Sequence, residues 1–332
     1  MNPPPNHPDK PIRAPTDWRQ AALLTLGALA LYFTLRALPT GTNLHQLDFR
    51  VTGDGALAMC DPANPQFVPV VAARSPVTLT VTPQPGGGNR FLLRLATSSG
   101  KPIGPAGLLE VHTRKLHLLI VDPTLRDYQH IHPEPTAVTG EWSFAFSPAF
   151  ATTYRVFADF TPSATGSSLY ASADIAVTEP ADATGTASEA RGRLPEWPAE
   201  TWRAGRDGVV FQLTPSAQPI HAGQPVDLNF TLTHTDGGLV ALEPVMGAFA
   251  HLVTFDAARS GFAHLHPDPA NATNLAAAAV SAPSALSGAT ATTNPHLAFK
   301  LTIPSPGHYV IWAQVKLGGR ERFVPFWFEV AP

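Results

Sequence analysis

A chain of 332 residues has room for two ordinary domains with a tail and linkers. Hydrophobic residues make up 44% and charged ones only 14%, with 35 prolines and 25 glycines, which excludes wholesale disorder and favours short strands joined by turns over long helices. A net charge of −3 with no dense Lys/Arg stripe excludes phosphate-driven nucleic-acid binding, and a single cysteine, Cys60, excludes an internal disulfide and a thiolate zinc site.

Residues 1–19 are polar and proline-rich, with Lys10, Arg13 and Arg19. The stretch that follows, QAALLTLGALALYFTLRAL at 20–38, would extend about 28 Å as a helix, close to the thickness of a bilayer's hydrocarbon core. Arg36 lies near its end, where a long side chain can snorkel. The positive excess ahead of it places the N-terminus in the cytoplasm. No small-x-small cleavage site follows in LRALPTGTN, and LAMC before Cys60 has Met where a lipoprotein site needs a small residue. We expect an uncleaved transmembrane signal anchor at 20–38, behind a cytoplasmic tail at 1–19 and ahead of a connector at 39–75. A buried soluble helix is the alternative.

The rest of the chain contains a duplication. HLLIVDPTLRDYQHIHPEP (117–135) aligns without a gap to HLVTFDAARSGFAHLHPDP (251–269), 134 residues later. His117/His251, Asp122/Asp256, His130/His264, His132/His266, Pro133/Pro267 and Pro135/Pro269 are among the identities. The likeness extends outward more weakly. VTLTVTP (77–83) matches VVFQLTP (209–215), and 142–160 matches 297–315, pairing Tyr154 with Tyr309 and Phe157 with Trp312. Each copy then holds about seven short alternating strands. The expected fold class is all-β, with two tandem immunoglobulin- or cupredoxin-like β-sandwich domains, 76–179 and 208–332, after one N-terminal transmembrane helix. Residues 180–207 read as a linker, and the Ala/Ser/Asn/Thr-rich stretch 270–295 as an exposed loop.

Each repeated segment reads as a hairpin. If Val121 faces Tyr128, Leu119 lies opposite His130 and His117 opposite His132; in the second copy Phe255 pairs with Phe262, Val253 with His264 and His251 with His266. Side chains alternate along a strand, so the HxH pair and the facing histidine share one face, with cross-strand Cβ atoms about 5 Å apart. Three imidazoles in that arrangement suit Zn²⁺ or Cu²⁺, which makes His117, His130, His132, His251, His264 and His266 the candidate metal ligands and copper or zinc the expected cofactor. Leu119, Val121, Tyr128, Val253, Phe255 and Phe262 lie on the same face, which is therefore expected to point into the sandwich core. A buried structural network of hydrogen-bonded histidines is the competing reading. Met246, five residues before His251, would add a soft ligand. His112 and His308 have no evident counterparts in the other copy.

The sequence LEPVMGAFAHLV…FAHLHP followed by PGHYVIWAQVKLGGR…FWFEV resembles a group of poorly characterised bacterial secreted or membrane-anchored tandem β-sandwich proteins with HxHP motifs, associated with heavy-metal (copper) handling. The resemblance covers each copy from about its second strand to its end. It implies metal ligation by His251, His264 and His266 and, through the duplication, by His117, His130 and His132. VHTRKLHLL in the first copy departs from the pattern. It also implies a single-pass protein of the bacterial inner membrane with its bulk in the periplasm, partnered by the membrane and by metal-handling or envelope proteins. We expect no enzyme. A His₃-zinc hydrolase, with Glu134 or Asp268 as base, is a minor alternative.

Overall fold

The computed structural model describes residues 18–37, 67–68, 75–84, 86, 88–178, 197–267, 291–292 and 295–332. The chain forms two compact units, residues 1–44 and residues 45–332. The first contains helix α1, Trp18–Ala37. Among the described residues no helix is long and apolar enough to cross a membrane, so a transmembrane anchor is not shown at 20–38. Thr25, Gly27, Tyr32 and Thr34 dilute the leucines of this helix.

The second unit is built from strands. In the first copy they are β1 Val77–Pro83, β2 Arg90–Thr97, β3 Leu108–Leu109, β4 Leu116–Val121, β5 Tyr128–Ile131, β6 Glu134–Pro135, β7 Glu141–Ala145, β8 Thr153–Pro162 and β9 Leu169–Ala176. One sheet runs β1-β2-β7-β6 and the other β3-β8-β4-β5, with β9 also on β8. Leu93, Leu95 and Trp142 from the first sheet meet Leu118, Ile120, Val156 and Ala158 from the second in one core.

The second copy repeats the plan. Its strands are β10 Arg203–Arg206, β11 Val209–Pro215, β12 Ile220–His221, β13 Pro225–His234, β14 Ala241–Glu243, β15 His251–Asp256, β16 Phe262–Leu265, β17 Ala291–Thr292, β18 His296–Thr302, β19 Gly307–Leu317 and β20 Arg320–Ala331. The sheet β10-β11-β13-β18 faces one built on β20, β19 and the β15–β16 hairpin. Phe211, Phe230 and Phe299 pack there against Leu252, Ile311 and Phe326. Both copies are β-sandwich-like, as alternating strands of this length favour.

The histidine-bearing face does not point into its own sandwich, contrary to the expectation from sequence. Every residue of β4 is buried. Leu116, Leu118 and Ile120 enter the first copy's core, whereas Leu119 and Val121 join Val253, Phe255, Phe262 and Trp312 in a third apolar cluster shared by both copies. A strand that is apolar on both faces must be covered on both, and here the second cover is the other copy's equivalent sheet. Phe157 stacks on Phe255 with ring centroids 5.9 Å apart. Trp312 Nε1 donates to the Leu125 carbonyl at 3.2 Å, and Arg155 Nη1 to the Arg259 carbonyl at 2.9 Å.

Part of the stretch expected to be a mere connector packs on the second copy. Phe67 is buried in that copy's core, and Val68 exchanges backbone hydrogen bonds of 2.7 and 3.0 Å with Phe262. Met59 and Cys60 lie outside the described residues.

Candidate metal centre

The hairpins have the register read from the sequence. Leu119 pairs with His130 and Val121 with Tyr128; Val253 pairs with His264 and Phe255 with Phe262. The identical Asp122 and Asp256 explain why the turns hold. Asp122 accepts backbone N–H groups from Thr124, Arg126 and Asp127 at 2.8, 2.8 and 2.9 Å, and Asp256 accepts Ser260 N–H at 2.6 Å. Their carboxylates serve turns, as short acidic side chains commonly do, and neither belongs to a triad.

Each copy brings one ring nitrogen from each of three histidines together, within 4.8 Å of one another: His117, His130 and His132 in the first, His251, His264 and His266 in the second. His117 Nδ1 lies 3.2 Å from both His130 Nε2 and His132 Nε2. Three nitrogens at about 2.0–2.1 Å from a tetrahedral ion stand about 3.3–3.4 Å apart, so the spacing fits ligation. It is also within hydrogen-bonding range, so the geometry is compatible with both.

Around the first triad the outer hydrogen bonds define tautomers. His117 Nε2 faces the Val111 carbonyl at 3.0 Å; a carbonyl only accepts, so this nitrogen carries the proton and Nδ1 is a bare lone pair. Gln314 donates its amide N–H to Glu321 at 2.8 Å, which turns its oxygen toward His130 Nδ1 at 2.9 Å. His130 Nδ1 therefore donates, and Nε2 faces the common point without a proton.

The second triad is less satisfied. His251 is fully buried, and both of its ring nitrogens, together with His264 Nε2 and His266 Nε2, are buried without a hydrogen-bond partner among the described residues. His264 Nδ1 donates to Asp159 at 3.4 Å. Leaving a buried polar group unpaired costs about 1–3 kcal/mol, and such groups are few in native proteins.

The triads are adjacent, because both lie on the face where the two copies meet. Ring centroids of His130 and His264 are 5.2 Å apart, and those of His117 and His264 5.9 Å. Burial holds His130, His251, His264 and His266 well below the usual imidazole pKa, and mutual repulsion between the rings lowers them further. Burial, then His117, brings His132 down to about 3, and burial also lowers His117. All six are neutral at pH 7, the form that ligates a metal.

Three participants were missed by sequence reasoning. Asp159 and Gln314 are aligned in the duplication, but nothing in the pattern shows that each reaches the opposite copy. His112 has no evident counterpart in the sequence, yet it and Met246 occupy the same position of equivalent turns, both at φ +51°, closed by the bridges Val111–Arg114 and Val245–Ala248 respectively. For His112 the available signal was the 134-residue offset of the repeated hairpin. His112 stacks on His266 across the copies, with centroids 3.7 Å apart, and its Nε2 is buried without a partner among the described residues. Of the bases considered for hydrolysis, Glu134 is exposed in β6 and Asp268 lies outside the described residues.

A family model described as a domain of unknown function (DUF8832) matches residues 71–179 and again residues 204–332. The chain belongs to this family and carries its domain twice. No curated protein matches it. Solved structures similar to it include the Escherichia coli adhesin FdeC (13% identity over 78% of this chain and 65% of that one, TM-score 0.21), a Salmonella alpha-2-macroglobulin mutant (12%, 78% and 15%, TM-score 0.21) and red sea bream transglutaminase (8%, 78% and 32%, TM-score 0.22). The chain spans less than two thirds of the length of each. At these TM-scores the likenesses carry no argument.

Proposed function

We propose that this tandem member of the DUF8832 family is a non-enzymatic metal-binding protein, a carrier or sensor, holding one copper or zinc ion in each histidine triad. The supporting observation is the contact between His117 Nδ1 and His130 Nε2 at 3.2 Å. Both ring protons are committed elsewhere, to the Val111 carbonyl and to Gln314, so two lone pairs face each other. Neutral rings leave no proton to bridge them, whereas a cation at their common point would convert the repulsion into two bonds. The unpartnered nitrogens of the second triad support the same reading.

The test is metal loading of the purified full chain with Zn²⁺ or Cu²⁺, followed by removal of free metal and elemental analysis. About one ion per triad is expected, and His264→Ala with His266→Ala halves the content. Absence of stoichiometric metal in the wild type would sink the proposal. One observation favours a structural network instead: His132 Nε2 can donate to His117 Nδ1 at 3.2 Å. Under that reading the same substitutions lower the melting temperature equally with and without metal.

The location is proposed on the sequence and on one feature of α1. Leu23, Leu24, Leu26, Leu29, Leu31, Tyr32 and Phe33 are all exposed on it, and uncovered apolar side chains of this kind suit lipid. The reading is an inner-membrane anchor with the sandwiches outside the cytoplasm. Release of the chain from membranes by alkaline carbonate would contradict it. An immunoglobulin-like topology is also proposed, supported by a tyrosine in each copy bonded four residues upstream: Phe150 N–H donates to Tyr154 at 3.0 Å, and Tyr309 donates to the Ser305 carbonyl at 2.9 Å.

A further inference from the structure

The two triads descend from one duplicated hairpin, and each receives a side chain from the opposite copy at the same place. Asp159 on β8 pairs in register with His117, as Gln314 on β19 pairs with His251. The two therefore hold equivalent positions. Asp159 reaches across to His264 Nδ1 at 3.4 Å, and Gln314 reaches back to His130 Nδ1 at 2.9 Å. His264 and His130 are themselves equivalent, each being the first histidine of its HxH. The contacts are thus reciprocal, and neither triad is complete in its outer hydrogen bonds without the other copy.

What differs is the charge. A carboxylate behind a ligating imidazole raises the ring's basicity and brings negative charge close to the ion; a neutral amide orients the ring and adds no charge. Three neutral imidazoles supply none of their own. The Asp159 side chain is only 14% exposed, so its field is weakly screened. At the first triad Asp159 stands beside His117 and acts on it through space without a hydrogen bond, and Glu321 touches Gln314 rather than a histidine and is exposed.

We propose that this exchange makes the two sites unequal: the second-copy triad, backed by Asp159, is the tighter site for a divalent ion and fills first, and the first-copy triad, backed by Gln314, fills second. The inference rests on the metal-binding reading above and adds Asp159 and Gln314 as positioning residues that set the order of filling.

The test is a Zn²⁺ titration of the full chain against a chromophoric chelator. The wild type is expected to take up two ions in two steps separated by about tenfold or more. Asp159→Asn, which keeps shape and removes charge, should weaken the tighter step by about 10–100-fold and the weaker one by less. Gln314→Glu should move the weaker step toward the tighter. His266→Ala should abolish the tighter step, and His132→Ala the weaker. A general loss of structure would weaken both steps equally, so the unequal response identifies positioning. Two equal steps in the wild type, or an unmoved tighter step in Asp159→Asn, would overturn the inference while leaving the metal reading intact. A wild type that binds no Zn²⁺ removes both.

Discussion

The two triads share spacing and register, yet they stand in different hydrogen-bond surroundings. In the first, His117 is held by the Val111 carbonyl and His130 by Gln314. In the second, His251 has no partner at either nitrogen among the described residues, and the outer contact is a carboxylate from the other copy. The duplication therefore repeats the inner histidines and varies what stands behind them. Residues that meet at one point are tightly constrained by geometry, whereas their outer partners can change charge without moving the ring.

The strongest challenge to this picture is to the shared face on which both triads depend. Phe255 is fully buried in the cluster that the copies share. Phe255→Ala should cost about 3–5 kcal/mol, as truncating a buried aromatic ring does. Chemical denaturation should still show both copies unfolding in one transition, because the cluster belongs to both. A separate, unshifted transition for the first copy would show that the triads do not depend on a common face.

The next effect separates the triads directly in metal-free protein. His251→Leu removes two unpartnered buried nitrogens and should stabilise the chain by about 1–3 kcal/mol. His117→Leu loses a made hydrogen bond and should destabilise it by about 1 kcal/mol. Equal losses in the two variants would erase the contrast between them.

A further effect concerns pH. The triad histidines are all held below the ordinary imidazole value of about 6.5. As pH falls through 6.5, the unfolded chain takes up protons that the folded chain refuses, so protons favour unfolding. The stability of the metal-free protein is thus present above about pH 6.5 and lost progressively below it. Melting temperatures measured from pH 8 to pH 5 should fall, and a rise would contradict the burial of the neutral rings.

Much of this was legible in the chain itself. The gapless repeat around HxHP gave the hairpins and their register, because a period of two leaves no freedom once one cross-strand pair is chosen. Alternation also identified which residues share a face with the histidines. It did not say what lies opposite that face, since Leu119 and Val121 would read the same whether they covered a sandwich core or a second domain. For the same reason His112 appeared isolated and Asp159 unremarked, although both stood in plain sequence equivalence to Met246 and Gln314.

The sequence by itself determined the duplication, the strands and the two sets of three histidines, because these depend on local periodicity and spacing. Tertiary structure alone decided that the sets lie side by side, with reciprocal partners drawn from opposite copies. That outcome depends on two sheets, each apolar on both faces, covering one another. No spacing along a single strand encodes it.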